Sequence, residues 1–243
     1  RDSAQIELRV PAMYSGEPTL IEAFSLGINL HAQTASFMVG FSVDKDRHKK
    51  EYLLGKTGNF AIQFRAGAKK VQTTARKILK IEIPLPKVKE MLENLFSKRK
   101  TLIAWQDCLI DQACTAKYLE LPLFGISRTF EGSDASIRET YVPTIVNVLV
   151  QSLAAILIIS AQIEIDKELV RRNSQSVTDM NTYDEGGWDC MPEDIDWLWK
   201  MSDELFKKPP IYDRLIGLGL VPVPLASEAK FPDEPRKLKK KAA

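Results

Sequence analysis

Apolar and polar positions alternate in several short segments of this chain, a pattern that predicts β-strands. Alternation places every second side chain on the same face of a strand, so that one face can be buried. The clearest example is Ile6, Leu8 and Val10, just before Pro11. The strand-like segments span residues 5–10, 37–43, 59–64, 79–83, 102–109 and 118–126. Together they predict a mainly β fold that also contains helices, in the α+β class.

Three segments have helical periodicity, and each of them follows a proline. Proline favours the first turn of a helix, where no backbone N–H is needed. After Pro86 the apolar residues recur at the i, i+3, i+4 and i+7 positions of a helix with one buried face. Shorter stripes follow Pro18 and Pro192. The sequence therefore predicts helices that begin near these three prolines.

Residues 140–163 form a run of 24 positions without a charged side chain. A helix that crosses a bilayer needs roughly 20 apolar residues, so the run is long enough to span a membrane. Asn147 and Gln151 lie inside it, however, and amide side chains are costly in lipid. Two buried strands near 144–150 and 154–165 explain the run as well. We prefer the two strands and keep a membrane-spanning segment as the alternative.

The predicted elements fall into three parts along the chain. We predict an N-terminal β-rich domain over residues 1–100 and a second β-rich domain over 101–172. Each has enough strand-like segments for a small β-sandwich. Residues 173–243 form the third part, which contains an acidic helix and ends in an extended, proline-containing basic arm. Such an arm more often wraps a neighbour than folds alone.

The net charge of +2 conceals an uneven distribution. Residues 45–100 contain sixteen Lys and Arg against five Asp and Glu, whereas residues 179–204 are strongly acidic. This segregation suits a protein that binds a phosphate-rich surface or docks on copies of itself, although charges on solvated loops explain it equally well. The residues predicted to contact an anionic surface are Lys45, Arg47, Lys49, Lys50, Lys69, Lys70, Arg76 and Lys77.

Residues suited to catalysis or metal binding are few. His31 and His48 are the only histidines, and the three cysteines form no CxxC pair. The Gly-Lys-Thr segment at 55–57 imitates the end of a phosphate-binding loop, but Lys50 stands where such a loop needs its first glycine. We therefore predict no catalytic residue, no metal and no cofactor, and we expect the protein not to be an enzyme. Three cysteines leave at least one unpaired in any set of disulfides, which favours a reducing compartment.

Two groups of residues in the C-terminal part are candidates for contacts with partners. Trp197 and Trp199 cannot share one helical face, so at least one of the tryptophans is predicted to lie in an interface. The second group is a Pro-Pro-x-Tyr sequence of the kind that WW domains bind. A helix end followed by a packed tyrosine explains it too. The interface candidates are Trp188, Trp197 and Trp199, and the partner peptide contains Pro209, Pro210 and Tyr212.

The order of these segments resembles that of matrix proteins of non-segmented negative-strand RNA viruses. A strand ending in Val-Pro, a short loop and a proline-led helix are followed much later by two strand-like segments and the apolar run. The residues that carry the resemblance are 10–11, 18–21, 102–104, 119–123, 126–128 and 163–166. The resemblance implies two stacked β-sandwich domains, a basic surface on acidic lipid, a lattice beneath an envelope and, often, a Pro-Pro-x-Tyr budding peptide.

These observations predict a non-enzymatic structural protein that assembles with itself and binds an anionic membrane surface. The expected partners are other copies of the chain, anionic lipid, and a WW-domain protein or nucleoprotein. The expected location is intracellular, on the cytoplasmic side of a membrane or in a virion. Two alternatives stay open: a single-pass subunit of an organellar membrane complex with residues 140–163 in the bilayer, and a nucleic-acid-packaging protein, for which binding would fall steeply with salt.

Overall fold

The computed structural model describes residues 1–80, 82–121 and 125–229 of the 243-residue chain. Helices make up 64% of the described residues, and the strands are short. The predicted mainly β fold with two sandwich-like domains is therefore wrong. The helices are α1 (Ile6–Ser15), α2 (Pro18–Leu26), α3 (Leu30–Val39), α4 (Lys49–Gln63), α5 (Ala68–Leu79), α6 (Leu85–Ser97), α7 (Lys100–Ala116), α8 (Asp134–Thr140), α9 (Val142–Arg171), α10 (Ile195–Lys207) and α11 (Tyr212–Gly217).

The strands form three small antiparallel pairs among the described residues. The N-terminal strand β1 pairs with β6 near the end of the described chain, and the other two pairs are hairpins. The strands are β1 (Asp2–Ser3), β2 (Tyr118–Leu121), β3 (Ile126–Thr129), β4 (Val177–Asn181), β5 (Gly186–Asp189) and β6 (Ser227–Glu228). A 3₁₀ turn at Pro192–Asp194 precedes α10.

Most of the strand-like segments lie in helices because their helices are buried on more than one side. In α1 every residue from Ile6 to Met13 except Glu7 is buried, so the alternation of large apolar residues there carries no information about the period. Residues 37–39 of the segment 37–43 lie in α3, residues 59–63 of the segment 59–64 lie in α4, and the segment 102–109 lies in α7. Of the segment 79–83, residue 81 lies outside the described residues.

The apolar run at 140–163 lies almost entirely in the single helix α9, so the two predicted strands within it are also wrong. By length and composition α9 is long and apolar enough to cross a membrane, and no other helix of the described chain is. In the fold it packs against α1, α7 and α10. A helix that is apolar on most of its surface is typical of a protein core as well as of a membrane.

Local signals at the helix ends agree with the structure where the strand pattern does not. The helices predicted after Pro18, Pro86 and Pro192 are confirmed as α2, α6 and the 3₁₀ turn that leads into α10. Asn29 caps α3, its side chain accepting hydrogen bonds from two backbone N–H groups. Gly40 ends the same helix in the left-handed conformation that glycine adopts without strain. An N-cap such as Asn29 stabilises a helix by about 1 kcal/mol.

The largest core cluster contains residues from all three parts of the chain, among them Leu20, Val150 and Val223. A second cluster joins α7, α8 and the start of α9 around Ile137. The domain boundaries at residues 100 and 172 stay a prediction.

Candidate functional site

Three acidic residues come together where β1 meets the turn of the β4–β5 hairpin. Asp2 pairs with Glu228 of β6 on one side and forms a β-bridge with Glu185 on the other. The backbone N–H of Ser3 donates to the carbonyl oxygen of Asp184 at 2.8 Å. Asp2, Asp184 and Glu185 therefore lie on directly adjacent backbone segments, and we refer to them as the carboxylate centre. All three are half-buried.

A further carboxylate approaches the same turn from α1. The hydroxyl of Tyr183 donates to Oε1 of Glu7 at 2.7 Å. Burial, and then this hydrogen bond, raise the pKa of Tyr183, so the phenol stays protonated and remains a donor. The contact fixes the turn that carries Asp184 against the helix that follows Asp2.

The chemistry of the carboxylate centre suits a hard cation that also binds a substrate. Within residues 1–80, 82–121 and 125–229, no group of three or more His, Cys, Asp or Glu has the arrangement of a complete metal site. Mg²⁺, however, is usually held by only one or two carboxylates, with waters and substrate phosphates as its other ligands. Asp2 and Asp184, which lie on adjacent backbone segments, supply two such carboxylates.

Helix α4 presents a cation and an aromatic ring on one exposed face. Lys56 and Phe60 are four residues apart, so they are neighbours on the helix surface, and both are exposed. Phe60 is 52% exposed, which is unusual for a large apolar side chain. Its ring lies 4.4 Å from that of Phe64, centroid to centroid. A lysine can bind phosphate as a point charge, and an exposed ring can stack on a base.

A cleft of about 350 Å³ lies between the end of α4, strand β3 and the first turns of α9. The side-chain oxygen of Asn147 is buried and has no hydrogen-bond partner within the part of the chain that the structure describes. Such an acceptor needs a donor, which a ligand in the cleft or an ordered water can supply. The cleft is lined by Phe64, Arg128, Pro143, Thr144, Asn147, Val148 and Gln151.

The eight basic residues singled out in the sequence are all exposed and form two groups. One group lies in the loop before α4 and in its first turn, and the other lies along α5, which packs against α4. Their role in binding an anionic surface stays a prediction. The first group is Lys45, Arg47, Lys49 and Lys50, and the second is Lys69, Lys70, Arg76 and Lys77.

The three tryptophans predicted at an interface all have contacts within the chain. The ring of Trp188 packs edge-on against Phe206. The indole N–H of Trp197 donates to Asp194 at 2.8 Å. Trp199 is 40% exposed, and a guanidinium lies over its ring. An interface role stays a prediction for all three.

The Pro-Pro-x-Tyr sequence follows the end of α10. Pro209 is buried, and Pro210 is exposed. The hydroxyl of Tyr212 donates to the carbonyl oxygen of Val223 and accepts from its N–H, at 2.7 and 2.8 Å. These contacts match the alternative of a helix end followed by a packed tyrosine. Recognition of this sequence as a partner peptide stays a prediction.

Sequence reasoning missed most of the residues in the carboxylate centre, on the exposed face of α4 and in the cleft. The Gly-Lys-Thr segment drew attention to Lys56, but only as part of a phosphate loop that the chain does not have. Asn147 and Gln151 were noticed only as polar interruptions of an apolar run. Asn147 is a buried amide on a core helix, and a buried polar group that needs a partner was the signal that the sequence offered there. Asp2 and Asp184 gave no signal, because only the tertiary fold brings them together.

Comparison with known proteins identifies the family. A family model described as DNA polymerase family A matches residues 1–222. The DNA polymerase I of Aquifex aeolicus (strain VF5) is 32% identical over 106 residues, which is 44% of this chain and 18% of that protein. The thermostable DNA polymerase I of Thermus thermophilus is 31% identical over 160 residues, covering 63% of this chain and 18% of that protein.

A solved structure has the same fold. It is the POL domain of Pol1 from M. smegmatis, in a complex with DNA primer-template and dNTP; the TM-score is 0.72, at 23% sequence identity. The match covers 86% of this chain and 36% of that chain. Because the family model matches most of its length, the chain belongs to DNA polymerase family A. It spans 18% of the length of each of the two curated relatives named above.

Family membership corrects the predictions made about function. The resemblance to viral matrix proteins is wrong, because it rested on an order of strands where the structure has mostly helices. A non-enzymatic role in virion assembly is wrong, because the family is one of enzymes. The alternatives of a membrane-complex subunit and a nucleic-acid-packaging protein do not fit either. Anionic lipid, self-assembly and WW-domain or nucleoprotein partners were also wrong expectations.

Proposed function

We propose that this chain supplies the catalytic centre of a DNA polymerase, in which a nucleoside triphosphate is joined to a primer strand on a DNA template. The observation that carries the proposal is the backbone pairing of Asp2 with the turn that contains Asp184 and Glu185. Membership of DNA polymerase family A and a fold shared with a polymerase domain support it. An intracellular location fits this role and is part of the proposal.

In this proposal Asp2 and Asp184 of the carboxylate centre would hold Mg²⁺, with Glu185 beside them. When bound, the metal neutralises charge on the transferring phosphate and on the attacking and leaving oxygens. The protein contributes a rigid backbone frame, since Asp2 lies between β6 and the β4–β5 turn. The hydrogen bond from Tyr183 to Glu7 holds that turn against α1.

The exposed face of α4 is proposed to bind the incoming nucleotide. The ammonium group of Lys56 would pair with the triphosphate, and the ring of Phe60 would stack on the base. Helix α4 contacts α1. Helix α1 in turn follows strand β1, which contains Asp2 and pairs with the hairpin turn. The cation and the ring therefore lie on a helix that packs against α1, the helix that leads out of the carboxylate centre.

The cleft beside α4 is proposed to bind the primer-template. Asn147 and Gln151 lie one turn apart on α9 and offer amide groups that can hydrogen-bond to base edges. Arg128 adds a cation for a phosphate. The two basic groups around α4 and α5 would extend this positive surface along a nucleic-acid backbone, a sequence-independent contact that weakens as salt rises.

Primer extension tests the proposal. In the protein that contains this chain, Asp184→Asn should abolish nucleotide addition in the presence of Mg²⁺, because it removes one carboxylate of the centre while conserving its shape. Asp196→Asn is the matched control, since Asp196 is an exposed carboxylate on α10. The proposal fails if the Asp184 variant extends primers as fast as the unaltered protein does.

A further inference from the structure

Arg99 is a fully buried cation, and no carboxylate among the described residues is hydrogen-bonded to it. Its side chain is the largest of those that are completely buried in the described chain. Nη1 donates to Oδ1 of Asn59 at 3.1 Å, and Nη2 donates to Oγ1 of Thr34 at 2.7 Å. Burial lowers the pKa of Arg99 to about 10, and the nearby Glu17 carboxylate opposes the shift. The guanidinium therefore keeps its charge at neutral pH.

A buried charge is costly, and an apolar side chain of similar size often stabilises a core as well or better. Stability alone therefore does not explain an arginine at this position. Buried polar groups can instead specify one arrangement of the elements around them. Arg99 immediately precedes α7, and its side chain contacts α3 and α4. Those two helices are therefore the elements whose arrangement it can specify.

The amide of Asn59 is the centre of this network. Its oxygen accepts from both Arg99 and Thr34, the latter at 2.7 Å. Its nitrogen donates to the carbonyl oxygen of Leu30 at 3.4 Å and lies 2.9 Å from Nδ1 of His31. Every polar atom of the Asn59 side chain is therefore used, which fixes the side of α4 that faces the core.

Helices α3 and α4 already form a tight pair at two glycines of α4. A Cβ atom on Gly55 would lie 1.9 Å from the carbonyl oxygen of His31, and one on Gly58 would lie 2.4 Å from Sδ of Met38. Residues with side chains could not pack at this distance. Because Thr34 lies on α3 and Asn59 lies on α4, Arg99 is hydrogen-bonded to both helices of this close pair.

The buried and the exposed sides of α4 are coupled by helix geometry. Asn59 directly precedes Phe60 and follows Lys56 by three residues. Because the helix is rigid about its axis, the rotation that buries Asn59 also determines where Lys56 and Phe60 point. We propose that Arg99 is a positioning residue for nucleotide binding, which acts through Asn59 and Thr34 to hold the exposed face of α4 in its productive orientation.

This inference rests on the proposed function of α4, and the experiment is designed to separate the two. We would compare Arg99→Met, Arg99→Lys and Asn59→Leu, and combine the first and the third. Hydrogen exchange of residues 49–63 without nucleotide measures the hold on α4 independently of activity. Primer extension gives KM for the nucleotide and kcat, and a binding assay gives Kd for primer-template.

We expect Arg99→Met to raise KM for the nucleotide by about tenfold, because two hydrogen bonds from a charged donor are lost. Amide exchange in α4 should accelerate, whereas Kd for primer-template should change by less than about twofold. Arg99→Lys should give an intermediate KM, since lysine keeps the charge but lacks the fork of donors. The double variant should have no larger effect than the stronger single variant, because both substitutions break the same network.

Ile137→Ala is the control for a general loss of stability. Ile137 is fully buried in the second core cluster, which contains no residue of α4. The alanine variant is meant to lose about as much thermal stability as Arg99→Met does. The inference is overturned if Ile137→Ala raises KM as much as Arg99→Met does, or if Arg99→Met changes neither KM nor exchange in α4. Should the unaltered protein fail to extend primers, the proposed function falls, and unchanged exchange in α4 would still overturn the role of Arg99 as its anchor.

Discussion

The hydroxyl of Tyr183 donates a hydrogen bond to Oε1 of Glu7 across 176 positions of sequence. Tyr183 precedes Asp184, and Glu7 follows Asp2 by five residues, so this bond joins the two segments that supply the carboxylate centre. We expect Tyr183→Phe to lower the free energy of unfolding by about 1.5 kcal/mol, because a hydrogen bond to a charged group is lost. Urea unfolding measures this loss, and primer extension should show a lower kcat.

Tyr118→Phe is the matched control, because Tyr118 lies on β2 and is 45% exposed.

The Tyr183 contact also predicts a pH dependence. Burial and the bond with Glu7 raise the pKa of Tyr183 above its ordinary value of 10.0. The stabilisation is therefore complete below that value and is lost as the pH rises through the higher pKa of the folded state. An equal loss of stability at alkaline pH in Tyr183→Phe would contradict this account.

His31 predicts a loss of stability in acid. Burial first, and then the charges of Lys56 and Arg99, lower the pKa of His31. The unfolded chain takes up a proton near the ordinary value of 6.5, whereas the folded chain resists it. The contribution is therefore present above that value and is lost as the pH falls below it. Protonation of Nδ1 would also oppose the amide nitrogen of Asn59, which lies 2.9 Å away.

Denaturant unfolding on either side of that pH measures the effect. We expect His31→Gln to flatten the decline in stability between about pH 7 and about pH 5. His48→Gln removes the other histidine, which lies just before α4, and should leave the decline in place. If the two variants decline equally, His31 does not carry the dependence.

The packing of α3 on α4 predicts different costs for alanine at three glycines. Gly55→Ala should lower the free energy of unfolding by about 3 kcal/mol, since its Cβ would meet the backbone at His31 and the helices would have to separate. Gly58→Ala should cost less, because Met38 is flexible and can move. Gly67→Ala is the control, since its Cβ would have nothing within 4 Å. Thermal unfolding of the three variants gives the order, and equal costs would show that the close approach is not a constraint.

The sequence predicted the proline-led helices, because a helix start depends on residues that are neighbours in the chain. Pro18 and Pro86 carry that signal themselves. The strand predictions failed where a helix is buried on several sides, as in α9, since alternation and helical periodicity then contain the same apolar residues. The basic segments were recognisable, but their partner was not: a run of lysines indicates phosphate without distinguishing lipid from nucleic acid.

The candidate site was harder to predict than the fold. Asp2 and Asp184 become neighbours only through the pairing of β1 with a distant hairpin turn, which no local pattern indicates. Phe60 has a large apolar side chain of the kind usually found in a core, yet it is exposed. Asn147 lies in the core helix with an unused acceptor, and only the structure reveals that the acceptor has no partner among the described residues.

That unused acceptor predicts opposite effects on stability and function. Asn147→Leu replaces a buried polar group with an apolar one of similar size, so the free energy of unfolding should stay equal or rise by about 1 kcal/mol. Binding to primer-template should weaken, because the cleft loses the acceptor. Asn94→Leu, on the exposed side of α6, is the control for an added leucine. A gain in stability without a loss of binding would show that the acceptor does not meet nucleic acid.

The basic group on α5 predicts how binding responds to salt. Each phosphate that a lysine or arginine neutralises contributes about 0.9 to the slope of log affinity against log salt concentration on duplex DNA. Substituting Lys69, Lys70, Arg76 and Lys77 by glutamine should therefore make this slope shallower by as many contacts as the group forms. The control substitutes Lys167 and Lys200, which are exposed on α9 and α10. Both proteins should be tested on duplex DNA and on anionic vesicles. If the slope on DNA is unchanged and only the α5 variant loses binding to vesicles, these residues contact anionic lipid rather than DNA. They would then have no part in the function proposed for the exposed face of α4.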